Sequence, residues 1–274
     1  MPKMKLNGID IAYDDVGTGE NVIIFVHGHP FDRSMWTPQH RLFVNSGWRA
    51  LMPDLRGYGE TTVVDGKTGL DSFARDIVAL ANSLQINKFV IAGLSMGGQI
   101  AMEICRMFPK RICGVVLAAT TPQAETENGK VSRNMMADRL LEEGMSAYAE
   151  EVLPKMVAPS NIAAQPAVAK KVLDMMRAAH PIGGAAALRG RAERPDYVGT
   201  LRTLNIPALI VVGDQDGFTT RADAELMRNL IAGSELIWMN GVGHMPNLER
   251  EIEFNAALEA FLASVPVSGA KVEA

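Results

Sequence analysis

The stretch that most constrains this chain is Gly93-Leu94-Ser95-Met96-Gly97-Gly98. An apolar, β-rich run, Phe89-Val90-Ile91-Ala92, precedes it. Apolar residues at helical spacing follow it, at Ile100, Ala101, Ile104, Cys105 and Phe108, until Pro109. The spacing predicts a strand, a tight turn and a helix, with a serine at the apex of the turn. A turn this sharp holds its central residue in a strained backbone conformation. It also brings the chain close to itself, so the flanking positions need residues as small as glycine. The helix that starts behind Ser95 directs free backbone N–H groups at any negative charge that forms there. Two readings of the serine compete: an exposed nucleophile, or a hydroxyl that only caps the helix.

The flanking sequence predicts the frame around this turn. Val22-Ile23-Ile24-Phe25-Val26, Gly114–Ala119 and Ala208–Val212 are continuous apolar runs, the mark of strands buried on both faces of a parallel sheet. Arg49–Met52 and Glu235–Met239 read as shorter strands, and the alternating Ile9–Tyr13 as an edge strand. A helix capped by Asp71 is expected to run to about Leu84, with Phe73, Ile77, Leu80 and Leu84 on one stripe. Further helices are expected over Ala222–Leu230 and from Glu249 to about Ala263. Glu249, Glu251 and Glu253 then favour the last helix's dipole. Strands and helices alternate, which predicts an α/β protein with a doubly wound, mostly parallel sheet.

The alternation stops between residues 121 and 200, where helix-like segments are broken by Pro159, Pro166, Pro181 and Pro195. The expected organisation is a core of residues 1–120 and 201–264, an inserted α-helical lid over 121–200, and a flexible tail over 265–274. The alternative is a pair of crossover helices, but about 80 residues is long for one crossover. Met135, Met136, Met145, Met156, Met175 and Met176 fall in this region. They either wall an apolar pocket beneath the lid or are plain core.

A serine hydroxyl needs a histidine to take its proton and a carboxylate to orient that histidine. Of the five histidines, His40 and His180 have no motif around them, and His27 directly follows a buried strand, where a structural role is expected. His244 lies in a glycine-flanked loop beyond the last strand, at the sheet edge where open α/β sheets bind ligands. Asp216, four residues past Val212, occupies the equivalent loop of an earlier strand. Asp214 is its rival and reads better as a partner of loop backbone. Acyl transfer also needs preorganised N–H donors for an oxyanion. The backbone N–H groups of Met96 and His29 are the candidates. Trp36 either packs beneath the His29 loop or touches substrate, and Phe31, Met135, Met145 and Phe218 complete the candidate substrate contacts.

Composition bounds the partners. Hydrophobic content of 47%, charged content of 21% and a net charge of −4 describe a soluble globular chain with no basic run for nucleic acid or an anionic membrane. Two cysteines make neither a disulfide framework nor a zinc site. No leader or spanning segment is read, so the cytoplasm is the expected compartment. Neither metal nor cofactor is required. The expected partner is a small, largely apolar acyl substrate, and oligomeric state leaves no mark.

These residues together resemble the α/β-hydrolase fold over nearly the whole chain. The resemblance rests on His27-Gly28-His29-Pro30 through Trp36, on Asp54-Leu55-Arg56-Gly57-Tyr58-Gly59, on the turn at Ser95, on Gly213–Asp216, and on Gly243-His244 with Glu249 behind it. The order Ser95, Asp216, His244 is that of the family's triad. The chain is most similar to small lidded members such as 3-oxoadipate enol-lactonases, aryl esterases and cofactor-free haloperoxidases, which are also perhydrolases. The resemblance implies an ester or lactone hydrolase. The same triad serves C–C bond hydrolysis or peracid formation, and some proteins of this fold act as small-ligand receptors. Tyr58 stands where many members have histidine, Thr61 where many have serine, and Thr220 where a proline often follows; these departures bear on loop packing.

Overall fold

The computed structural model describes residues 2–266. The strands are β1 (Lys3–Leu6), β2 (Ile9–Val16), β3 (Asn21–Val26), β4 (Trp48–Pro53), β5 (Phe89–Leu94), β6 (Ile112–Ala118), β7 (Ala208–Gly213) and β8 (Glu235–Met239). They form one sheet in the order β1-β2-β4-β3-β5-β6-β7-β8. β1 and β2 pair antiparallel, as do β2 and β4; every other pairing is parallel. This is the doubly wound, mostly parallel sheet that the sequence predicts.

The helices are α1 (Thr37–His40), α2 (Leu70–Ser83), α3 (Met96–Met107), α4 (Glu127–Glu143), α5 (Ser146–Met156), α6 (Pro159–Ala164), α7 (Pro166–Ala178), α8 (Pro181–Ala192), α9 (Val198–Arg202), α10 (Arg221–Leu230), α11 (Pro246–Glu249) and α12 (Glu251–Ser264). They cover both faces of the sheet. Along β3, Ile23 and Phe25 face a core shared with Phe254, Leu258 and Phe261 of α12. Val22, Ile24 and Val26 face the opposite core, shared with α2, α3 and α10. Burial on both sides is why that run reads as continuously apolar. Between β6 and β7 the chain forms α4 to α9 and no strand. Proline opens α6, α7 and α8, at a first-turn position where its missing N–H leaves no bond unmade.

Four local expectations are corrected. Ile9–Tyr13 is not the edge, because β1 lies outside it. Leu6 pairs with Ile9 across Asn7-Gly8, whose φ angles of 50° and 80° fit a two-residue hairpin turn of the Asn-Gly type. Asp71 does not cap α2: Gly69 is the N-cap and Asp71 lies within the first turn. The last helix is two pieces broken at Arg250, and Glu249 is buried rather than facing the dipole from the surface. Val265 belongs to the core instead of a tail, and residues 267–274 lie outside the described residues.

Candidate active site

The turn after β5 is as tight as the glycines imply. A Cβ on Gly93 would lie 2.1 Å from the Gly97 carbonyl oxygen, and one on Gly97 would lie 2.1 Å from that of Val26. Ser95 takes φ 57° and ψ −117°, in the region that disfavours L side chains. The strain is held by the Ser95 N–H donating to Ala118 O at 2.9 Å and by Thr120 Oγ1 donating to Ser95 O at 2.8 Å. Ser95 is the N-cap residue of α3, yet its side chain makes no capping hydrogen bond. The capping reading therefore fails, and the hydroxyl is left at the mouth of the turn.

Asp216 and His244 come from the loops after β7 and β8. His244 Nδ1 lies 2.9 Å from both Asp216 carboxylate oxygens. Both side chains are buried. Asp216 Oδ1 also accepts the backbone N–H groups of Phe218 and Thr219, at 2.8 and 3.0 Å. The His244 backbone is tied down by its N–H donating to Met156 O at 2.9 Å. Asp214 instead accepts from Gly241 N and Val242 N, at 2.7 and 3.2 Å, and so shapes the loop that carries His244.

His29 lies after β3, and Met96 is the first residue of α3. Neither backbone N–H has an acceptor among the described residues. Their loop is braced below. His27 Nδ1 donates to Gly28 O and its Nε2 accepts from Leu55 N, so His27 is structural as expected. Arg33 binds Asp54, Asp14 and Glu60. His29 Nδ1 lies 2.7 Å from Tyr58 Oη. Its Nε2 is buried and without a partner among the described residues. Burial, with Arg191 and Arg133 adding repulsion, holds the His29 imidazole well below its usual pKa and hence neutral.

Ser95, His244 and His29 line one cavity of about 150 Å³ that opens to solvent. Among the described residues no hydrogen bond joins Ser95 to His244; the two face each other across this space. Thr120, Thr121 and Thr219 line it from the strand-end loops, and Arg133, Tyr148, Met156, Leu188 and Arg191 from α4, α5 and α8. Phe218 also lines it, its ring 4.9 Å from that of His244.

The other expected contacts are elsewhere. Trp36 is fully buried against Phe25 and Phe254, which is the packing reading. Phe31 and Met145 are core side chains outside the cavity, and Met135 is 68% exposed on the far side of α4. The methionines of residues 121–200 thus divide between the two readings, wall and core. Met156 is the methionine that reaches the cavity, while Met145, Met175 and Met176 are core.

Three residues have contacts at the site that the sequence did not reveal. Glu249 accepts from Gly243 N, Ala158 N and Asn161 Nδ2 at 3.0, 2.9 and 2.7 Å, and so ties the His244 loop to α6. Tyr58 reaches His29. Arg191 enters the cavity from α8, held by Nε donating to Gln99 Oε1 at 3.1 Å. The run Arg189-Gly190-Arg191 at the end of a helix rich in glycine and alanine, with Arg194 just beyond it, was the available signal for it.

The family described as "Alpha/beta hydrolase family" matches residues 23–257. Among solved structures, a thermophilic esterase from Thermogutta terrifontis, determined with malate bound, superposes with a TM-score of 0.93 at 33% identity. The match covers 97% of this chain and 99% of that one. The chain is 28% identical to 3-oxoadipate enol-lactonase 2 of Acinetobacter baylyi, over 95% of this chain and 96% of that protein. It is 27% identical to a bifunctional esterase/perhydrolase of Acinetobacter calcoaceticus, over 94% and 98%.

Proposed function

The chain belongs to the alpha/beta hydrolase family, and from that premise we propose that it is a serine hydrolase of esters or lactones working through an acyl-enzyme. The observation that carries this reading is the His244–Asp216 bond. It commits Nδ1 to the carboxylate and leaves Nε2 as the base, in the cavity that holds an uncapped Ser95. Contacts between nucleophile and base of this kind tighten when substrate is bound.

Ser95 Oγ attacks the acyl carbonyl while His244 Nε2 takes its proton. The Met96 and His29 N–H groups hold the resulting oxyanion. Collapse breaks the bond to the alcohol oxygen, which leaves with the proton from His244. A water then gives its proton to His244 and attacks the acyl-enzyme, releasing the acid and restoring Ser95. Asp216 stabilises the imidazolium at each transfer. Helices α4, α5 and α8 form the far wall of the cavity, in keeping with a lid over residues 121–200. The names of the enol-lactonase and esterase relatives support ester-bond chemistry. The esterase/perhydrolase relative favours one second reading, in which hydrogen peroxide replaces water in the deacylation step.

A panel of p-nitrophenyl esters and lactones tests the main reading. Ser95→Ala is expected to lower kcat by roughly 10⁴-fold or more. Equal rates in the variant and the parent protein would contradict it.

A further inference from the structure

Arg191 lies inside the cavity with Ser95 and His244, only 8% exposed. Among the described residues no carboxylate is within ion-pair distance of its guanidinium, whose Nε is occupied by Gln99. Arg133 lines the same cavity, and Arg194 follows Arg191 by three residues on the same stretch. The carboxylate beside them, Glu125, is shared: it binds Arg133 and, at 2.6 Å, Arg194. Burial pushes the Glu125 pKa up, but these two arginines outweigh it and hold it at about 2. Arg133 and Arg194 thus share one carboxylate, and Arg191, close enough to feel the charge of both, has none. Asp216 cannot supply the deficit, because it is bound to His244 and to two backbone N–H groups.

A guanidinium keeps its proton in a protein, and a buried cation without a counter-ion is unfavourable. Such a group is stabilised when a ligand brings the missing anion. With Nε committed to Gln99, the two Nη groups remain to bind a carboxylate as a fork. Gln99 fixes the plane of that fork.

We propose that Arg191, with Arg133 beside it, binds a free carboxylate on the substrate. The proposal rests on the serine-hydrolase reading and narrows its substrate class. The preferred substrates are half-esters of dicarboxylic acids, or lactones bearing a carboxylate side chain, in place of the uncharged acyl compounds expected from the sequence.

The test compares mono-p-nitrophenyl glutarate with p-nitrophenyl hexanoate, together with the thermal stability of the wild-type chain in glutarate. The wild type is expected to prefer the glutarate half-ester by about tenfold or more in kcat/KM. Arg191→Met is expected to reduce that ratio by about tenfold, with Arg191→Lys between the two. Glutarate should raise the wild-type Tm, a readout that needs no variant to fold. Equal kcat/KM for the two esters, with no glutarate-dependent rise in Tm, would overturn the proposal. So would an Arg191→Met variant that loses both activities by the same factor. Failure of the hydrolase reading looks different: Ser95→Ala then turns over both esters at the wild-type rate, while the glutarate shift in Tm still reads the anion site.

Discussion

Two aspartates two residues apart do different work. Asp214 and Asp216 stand in one short loop after β7, yet Asp214 holds the backbone of the His244 loop and Asp216 holds the His244 ring. Asp216→Asn separates orientation from folding. An asparagine Oδ1 still accepts from Phe218 and Thr219, so the loop keeps its shape, but the amide favours the wrong imidazole tautomer. The expected result is a fall in kcat of roughly 10⁴-fold with an unchanged circular dichroism spectrum and a Tm near that of the parent. A variant with near-parental kcat would remove Asp216 from the triad. The serine, the histidine and this aspartate were legible because each lies in the loop or turn that follows a strand, where topology alone fixes the side of the sheet. The contact between Tyr58 and His29 was not, because it joins two loops whose approach no local pattern records.

At the scale of elements, helix phase limited what could be read in advance. Met135 and Arg133 sit two residues apart on α4, and the arginine faces the cavity while the methionine faces solvent. Of the residues on α4, only Ala137 and Leu140 are buried, so no strong apolar stripe tells which side turns inward. Its packing along α8 decides that, and the pairing is tertiary. The β1–β2 hairpin, by contrast, carried a local signal in Asn7-Gly8. Glu249 joins two elements as a shared acceptor, and its removal strands Gly243 N, Ala158 N and Asn161 Nδ2 in a buried place. Glu249→Ala should therefore cost about 3 kcal/mol. For a chain of this size that corresponds to a fall in Tm of roughly 6–12 °C. Glu249→Gln, which keeps one carbonyl acceptor, should fall between. Differential scanning calorimetry of the two variants measures this, and a Glu249→Ala protein as stable as the parent would show that the His244 loop needs no such brace.

For the whole molecule, the parallel sheet brings the loops after β3, β5, β6, β7 and β8 to one edge, and five separate segments meet there. The same convergence buries His27 and His29 along with His244. Burial pushes the His27 pKa below 6.5 and the His29 pKa well below it. Below pH 6.5 the unfolded chain takes up protons at both positions and the folded chain resists them. Stability is therefore complete above about pH 6.5 and declines as the pH falls toward the folded-state values. Each histidine contributes a slope of up to about 1.4 kcal/mol per pH unit in that window. Urea midpoints from pH 7.5 to 5.5 should show this decline, less steeply in His27→Gln; a slope unaltered by that substitution would exclude His27 as a source. The central claim, that the hydroxyl at the turn after β5 is the nucleophile and His244 its base, is tested most directly by covalent trapping. Peptide mass spectrometry after a fluorophosphonate should place one phosphonyl group on Ser95 in the parent chain and little or none in His244→Ala. A label on another residue, or labelling of Ser95 at the same rate in His244→Ala, would contradict it.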